Sequence, residues 1–328
     1  MRFGTFIPQG WRFDLVGIDP ADQWRVMRHL AQRADEGPWE SLWVYDHFHT
    51  RPVPSNQATH EAWTLMAAFA ASTDRVRLGQ MCTCMGYRNP AYLAKVAATV
   101  DVVSGGRAEM GIGGGWYEHE WLAYGYGFPG IGERLGMLRE GVEIMRQAWE
   151  TGTATLDGAH YQVDGAIVQP QPLQAGGIPL WIAGGGEKVT LRIAAQHATY
   201  TNFAGGLEAF DHKSDVLRAH CDAIGRDFAT ITRSSNFNTV VGETESEVAD
   251  RLDAIAARVA PHLGDDVDAL MAEYRSGSAL VGTPEQIVER LREHEEHGLG
   301  YAIHYFPEAA YDHSGIDLFE SQVIPALS

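Results

Sequence analysis

Chemistry in this chain concentrates where apolar runs end in short polar or glycine-rich turns. The run SLWVY at residues 41–45 ends in Asp46 and His47. A histidine at a strand end can carry a proton at neutral pH, and an adjacent carboxylate can orient it or bind a ring edge. Hydride transfer to or from a carbon–oxygen bond needs such a proton partner on oxygen. His47 and Asp46 are therefore the catalytic candidates. The plainer reading of the pair is a strand-end turn with Asp46 as a helix cap.

Two glycine runs follow similar apolar stretches. Gly113, Gly114 and Gly115 precede Trp116, and Gly184, Gly185 and Gly186 precede Glu187 and Lys188. Successive glycines let backbone N–H groups approach a ligand, and a glycine turn opening a helix is a ready phosphate site. Lys188 adds positive charge there, against Glu187. The first run is not the dinucleotide fingerprint, because its third glycine falls one position early for G-x-G-x-x-G. A tight strand-to-helix turn is the other reading of each run. Between them in character stands VRLGQMCTCMG, whose end, Gln80 to Thr83, would reach the same rim. Trp11, Phe13, Trp116 and Phe203 are the aromatic candidates for walling an apolar substrate pocket, plain core being the alternative.

Other patterns carry less. Cys82 and Cys84 read as small residues at a strand end before they read as metal ligands. His294 to His297 spells HEEH, not the H-E-x-x-H zinc motif, and reads as a solvated helix face; EHE at Glu118 to Glu120 reads the same way. There is no G-x-S-x-G elbow and no G-x-x-x-x-G-K-[ST] loop, and no metal constellation is expected.

The elements that must position these residues alternate along the chain. Strand-like runs fall at Phe3–Pro8, Ser41–Tyr45, Val76–Gly79, Ala108–Ile112, Ile178–Ala183, Thr199–Phe203, Ile231–Val241 and Tyr301–Phe306. Helix-period segments separate them, opened by cap and proline pairs at Asp19-Pro20 and Thr283-Pro284. Eight strands in alternation with helices predict an α/β fold, a (β/α)8 TIM barrel with insertions, as a single domain over residues 1–328. Active sites of such barrels lie at the C-terminal ends of the strands, where the residues above fall. Three segments exceed ordinary loop length: 116–132, 152–177 and 261–282.

Composition narrows the function. Hydrophobic residues make up 45% and charged residues 21% of 328, which suits a globular protein with a large core. The net charge of −18 is spread along the chain, which disfavours nucleic acid and anionic membranes as partners. Three cysteines fit a reducing compartment. No run approaches the ~18 apolar residues of a membrane span, and the start, MRFGTFIPQG, lacks a leader pattern. A cytoplasmic enzyme acting on a small molecule is expected. The 22 arginines against three lysines, with abundant Ala, Gly and Asp, suggest a GC-rich genome.

Taken together, SLWVYDHF, DRVRLGQMCTCMGYRNPAYLAKVAATVDVVSGGRAEMGIGGGW, ERLGMLREGVEIMRQAW, DGAHY, PLWIAGGGEKVTLRIAAQHA and GTPEQIVERLREHEEHGL resemble the bacterial luciferase-like monooxygenase superfamily. The similarity is strongest to its branch dependent on the deazaflavin coenzyme F420, and it covers essentially the whole chain. The resemblance implies a coenzyme ring across the C-terminal mouth, with Asp46 and His47 matching the family's Asp-His pair beside it. Met81, Cys82 and Thr83 match the segment of a non-proline cis peptide that bulges behind the ring. Gly113–Gly115 and Gly184–Gly186, with Lys188, match the turns that take the coenzyme phosphate. Trp116 stands where the family's sugar-phosphate dehydrogenases carry Glu, which points away from a phosphorylated substrate.

The expected activity is an F420-dependent oxidoreductase in which His47 handles the proton. Local cations such as Arg88, Lys188 and Arg192 would offset the repulsion between the acidic chain and the coenzyme's acidic tail. The alternatives are an FMN-dependent monooxygenase fed by a partner flavin reductase, and a non-catalytic flavin-binding protein. The resemblance also implies a homodimer.

Overall fold

Runs of four or five residues that are apolar at nearly every position must be buried on both faces, as in parallel strands covered by helices. A computed structural model of the chain, describing residues 1–203 and 205–327, has this arrangement. Strands β1 (Arg2–Phe6), β2 (Ser41–Val44), β3 (Arg77–Gln80), β4 (Thr83–Cys84) and β5 (Met110–Gly113) come first, interleaved with helices α1 (Pro20–Glu36), α2 (Ala62–Ala70) and α3 (Pro90–Val103). Helices α4 (Glu118–Ala123) and α5 (Ile131–Thr151) lead to β6 (Thr153–Asp157) and β7 (Gln162–Ile167). Then follow β8 (Leu180–Ala183), α6 (Thr190–His197), β9 (Tyr200–Phe203), α7 (Leu207–Ile224) and β10 (Thr232–Val241). The last part holds α8 (Glu245–Leu263), α9 (Val267–Tyr274), β11 (Leu280–Gly282), α10 (Pro284–Glu296), β12 (Tyr301–Tyr305), α11 (Ser314–Leu318) and α12 (Ile324–Leu327).

The barrel order is β3-β2-β1-β12-β10-β9-β8-β5-β4, parallel throughout. Nine segments make eight staves, because β3 and β4 lie on either side of a cis peptide between Met81 and Cys82. β3 pairs with β2, β4 pairs with β5, and Leu78 bridges Ala108, so the barrel nearly closes. This is the (β/α)8 architecture that the alternation of elements predicts.

The three overlong segments hold structure. Residues 116–132 contain α4; residues 152–177 contain the antiparallel pair β6–β7; α8 runs past Pro261, and α9 and β11 follow it. In the pair, burial of Ala154 and Val163 gives only a short alternation, too brief to stand out from a loop.

The interior is unusually aromatic. Trp181 stacks on Tyr200 with centroids 3.9 Å apart and meets Trp43 edge-on at 4.6 Å. Gly79 makes this possible: a Cβ there would collide with the Trp43 ring. At the N-terminal floor the polar atoms are paired. Trp43 Nε1 donates to Ser41 Oγ (2.6 Å), Trp181 Nε1 donates to Glu109 Oε2 (2.7 Å), and Arg77 pairs with Glu109. The floor is closed by these contacts, and the opposite end of the barrel is left open.

Candidate active site

His47 sits three residues beyond β2, at the C-terminal mouth. Its Nδ1 lies 2.9 Å from Glu120 Oε2. One ring face stacks on Trp11, with centroids 4.1 Å apart and an angle of 2°. The edge of Trp116 approaches at 5.7 Å. With Nδ1 taken, Nε2 is the nitrogen free to face a reacting atom.

Glu120 is the residue that sequence reasoning missed. It is completely buried, and it also accepts from the Phe48 amide (2.7 Å), the His49 amide (2.8 Å) and the Tyr87 hydroxyl (3.1 Å). Burial alone would raise its pKa, but the bonds from His47 and the two amides carry it below the ordinary carboxylate value. An ionised Glu120 can only accept, so Nδ1 of His47 carries the hydrogen, which fixes the ring's orientation and tautomer. The EHE segment is therefore not a solvated face throughout. Glu120 and Trp121 are the buried residues of α4, and a tryptophan directly after a glutamate was the available signal that this part of the helix turns inward.

Asp46 has another task than orienting His47. Its buried carboxylate accepts from the Cys84 amide (2.8 Å) and is gripped by both terminal nitrogens of Arg88 (2.7 and 2.8 Å). Arg88 also donates to Glu61 (2.8 Å). Asp46 thus ties the end of β2 to β4 across the Met81–Cys82 cis peptide, which lies where the resemblance places it. Burial, then the Asp46 charge, pushes the Cys82 thiol up to about 12, so it remains a thiol near neutrality. The buried Thr83 hydroxyl donates to Gln80 Oε1 (2.7 Å).

The glycine runs end adjacent staves, β5 and β8. A Cβ on Gly113 would lie 2.8 Å from Cys82 Sγ and 3.3 Å from the Ala183 carbonyl oxygen. Gly115 (φ +75°) and Gly184 (φ +108°) adopt the left-handed region. Gly114 lies against Leu135 and Gly186 against Thr190. The second run does not open α6 directly, since that helix begins at Thr190. Glu187 bonds to Lys213 (2.6 Å) and His212 (3.0 Å) instead of opposing Lys188, which is exposed.

Of the four proposed walls, two are at the mouth. Trp11, Trp116, His47, Met81, Cys82 and Gly115 are among the residues enclosing a cavity of about 130 Å³. A second cavity of about 340 Å³ shares His47 and Tyr87 with it. Phe13 packs with Val240, Ile255 and Leu270 in a satellite core, and Phe203 packs on Phe210 with centroids 5.6 Å apart. Both are core residues, because their side chains point away from the barrel mouth and into helix contacts. A larger groove, about 730 Å³, runs along the outside of α10 by Val288, Arg292 and Gln322, away from the strand ends.

The model of the luciferase-like monooxygenase family matches residues 1–300. The chain is 33% identical over 209 residues to an F420-dependent glucose-6-phosphate dehydrogenase of Kineococcus radiotolerans, covering 62% of this chain and 60% of that protein. It is 30% identical over 323 residues to the enzyme of the same name from Nocardia farcinica, covering 92% and 94%. The pyrimidine monooxygenase RutA of Acinetobacter baylyi is 32% identical over 282 residues, covering 82% and 73%. A solved F420-dependent secondary alcohol dehydrogenase with an F420-acetone adduct superposes with a TM-score of 0.81, at 21% identity over 100% of this chain and 99% of that one.

Proposed function

The chain belongs to the luciferase-like monooxygenase family, and from that premise we propose that it is a coenzyme F420-dependent oxidoreductase of a small, non-phosphorylated organic substrate. The observation that carries the reading is the His47–Glu120 pair at the barrel mouth, beside the cis peptide. F420-dependent enzymes among its relatives support the choice of coenzyme.

The mouth has the chemistry to hold such a group. Trp11 Nε1 and Gln80 Nε2 are buried N–H donors without partners among the described residues. Such donors are costly unless a ligand or water satisfies them. The enclosed cavity is smaller than the ~300–1,000 Å³ of a complete ligand cleft, so it would take a ring edge. The remainder of the coenzyme would be held at Gly113–Gly115, Gly184–Gly186 and Lys188. When bound, the coenzyme supplies the hydride donor or acceptor. His47 Nε2 gives or takes the proton on the substrate oxygen, and Glu120 holds the ring and stabilises its charged form. Trp11 and Trp116 limit water around it.

Three cations near His47 are already engaged. Arg88 is shared by Asp46 and Glu61, and Arg12 and Arg51 both pair with Glu273. None of these three is free to hold a substrate phosphate, in agreement with Trp116 replacing a glutamate. The match to a pyrimidine monooxygenase favours a second reading, an FMN-dependent monooxygenase with a reductase partner. Fluorescence titration of the purified protein with oxidised F420 and with FMN separates the two. Tighter F420 binding, weakened in Gly185→Asp, is expected; binding of FMN alone would overturn the leading reading. The same proposal places a homodimer in the cytoplasm; among the described residues no helix is long and apolar enough to cross a membrane.

A further inference from the structure

The 340 Å³ cavity opens beside His47 and shares Phe48 and Tyr87 with the groups that hold Glu120. Four of its lining residues, Phe48, Tyr87, Tyr124 and Tyr126, are aromatic. Phe48 packs on Tyr124 with centroids 4.5 Å apart, and Tyr87 stacks on Tyr126 at 5.2 Å. Tyr126 is bracketed by Gly125 (φ +79°) and Gly127 (φ +69°), two left-handed residues that turn the chain sharply on either side of it. Tyr124 and Tyr126 remain 53% and 42% exposed, so apolar ring surface faces the opening rather than the core. Contiguous exposed rings of this kind mark a binding surface.

The charges at this cavity select against anions. Arg88 is the cation of the lining, and it is held by two carboxylates, Asp46 and Glu61. Glu120, ionised, lies just behind Tyr87. Three carboxylates against one guanidinium leave a negative field, which repels carboxylate and phosphate substituents. Neutral polar handles are present: the lining carries the Tyr124 and Tyr126 phenols, and the buried Thr59 Oγ1 has no partner among the described residues. A hydroxyl can donate to or accept from a ligand oxygen.

We propose that this cavity is the subsite for the non-reacting part of the substrate, and that it takes a planar, uncharged aromatic or conjugated ring bearing a hydroxyl or carbonyl oxygen. The inference rests on the mouth being the active site, and it names the substrate class that site selects. Stacking of a ligand ring on the exposed faces of Tyr126 and Tyr124 favours a flat partner over a puckered one, since offset-stacked rings gain beyond simple area burial. The remainder of such a substrate would reach His47, which lines both cavities.

Isothermal titration of the full-length protein with three probes of one skeleton tests this. They are 2-naphthol (flat, uncharged), 2-naphthoate (flat, anionic) and decalin-2-ol (puckered, uncharged). The expected order has 2-naphthol binding at least about tenfold more tightly than either of the others, in line with a stacking contact plus avoided repulsion. Tyr126→Leu should weaken 2-naphthol at least about fivefold while Tyr126→Phe preserves it, as loss of a stacking contact requires. Equal or tighter binding of 2-naphthoate, no binding of 2-naphthol, or an unchanged affinity in Tyr126→Leu would each overturn the proposal. Titration of the same samples with F420 reports the coenzyme reading separately: F420 binding without ring selectivity sinks the subsite alone, and ring selectivity without F420 binding sinks the coenzyme assignment alone.

Discussion

Two buried glutamates at opposite ends of the barrel have opposite electrostatic fates. Glu120 at the mouth and Glu109 at the floor are 0% and 2% exposed. Glu120 gathers four donors, two of them backbone amides on the loop that carries His47, and its pKa falls despite burial. Glu109 has Arg77 and the Trp181 indole, and burial outweighs them, raising its pKa to about 7. The difference lies in how completely each carboxylate's lone pairs are filled by fixed dipoles. At the mouth the protein has organised a permanent anion next to a histidine. At the floor it has used a carboxyl to close the barrel, where charge state matters less than contact.

The strongest way to break this comparison is to delete the mouth carboxylate. Glu120→Ala strands four donors, each worth about 1–3 kcal/mol when left unmet, so a loss of at least about 3 kcal/mol in denaturant unfolding is expected. Glu120→Gln keeps the volume and should lower kcat about 100-fold, the lower end for positioned proton-transfer groups. Glu109→Gln should leave kcat within about twofold, because a floor residue touches neither substrate nor proton. Next in size is Asp46→Asn, which unpairs a buried guanidinium; about 3 kcal/mol of destabilisation is expected, the low end for such a pair because Glu61 still holds Arg88. Smaller again is Gly115→Ala, at about 1–2 kcal/mol for a left-handed residue, with an added clash at Cys84 Sγ, 2.5 Å from the new Cβ; thermal unfolding reads it.

The subtlest effect is in pH. A depressed pKa at Glu120 contributes stability that is present above the ordinary value of 4.5 and lost as pH falls below it. A raised pKa at Glu109 contributes stability that is present below 4.5 and lost as pH rises through about 7. Melting temperature against pH should therefore fall less steeply on the acid side in Glu120→Gln and decline less between pH 4.5 and 7 in Glu109→Gln. Identical slopes in both variants would erase the contrast.

The barrel was legible because its strands are short apolar runs separated by capped helices, and alternation alone implies a parallel covered sheet. His47 and the glycine turns were legible because they end those runs. Glu120 was not, because it lies in a six-residue helix whose charged sequence, EHE, looks solvated; only the three-dimensional approach of β2's loop to α4 buries it. Asp46 was found, but its bond to Arg88, 42 positions away, was not, since adjacency in sequence to His47 says nothing about a partner that distant. Phe13 and Phe203 read as pocket walls because strand ends and rims share aromatic residues with the core, and sequence does not tell the two faces apart there.

The most direct test is a paired measurement on the wild-type protein and His47→Ala: the dissociation constant for F420 and the single-turnover rate of hydride transfer with a neutral alcohol or ketone. The account predicts F420 affinity unchanged within about twofold and a rate lowered at least about 100-fold. A His47→Ala protein that turns over at the wild-type rate, with its affinity for F420 intact, would contradict it.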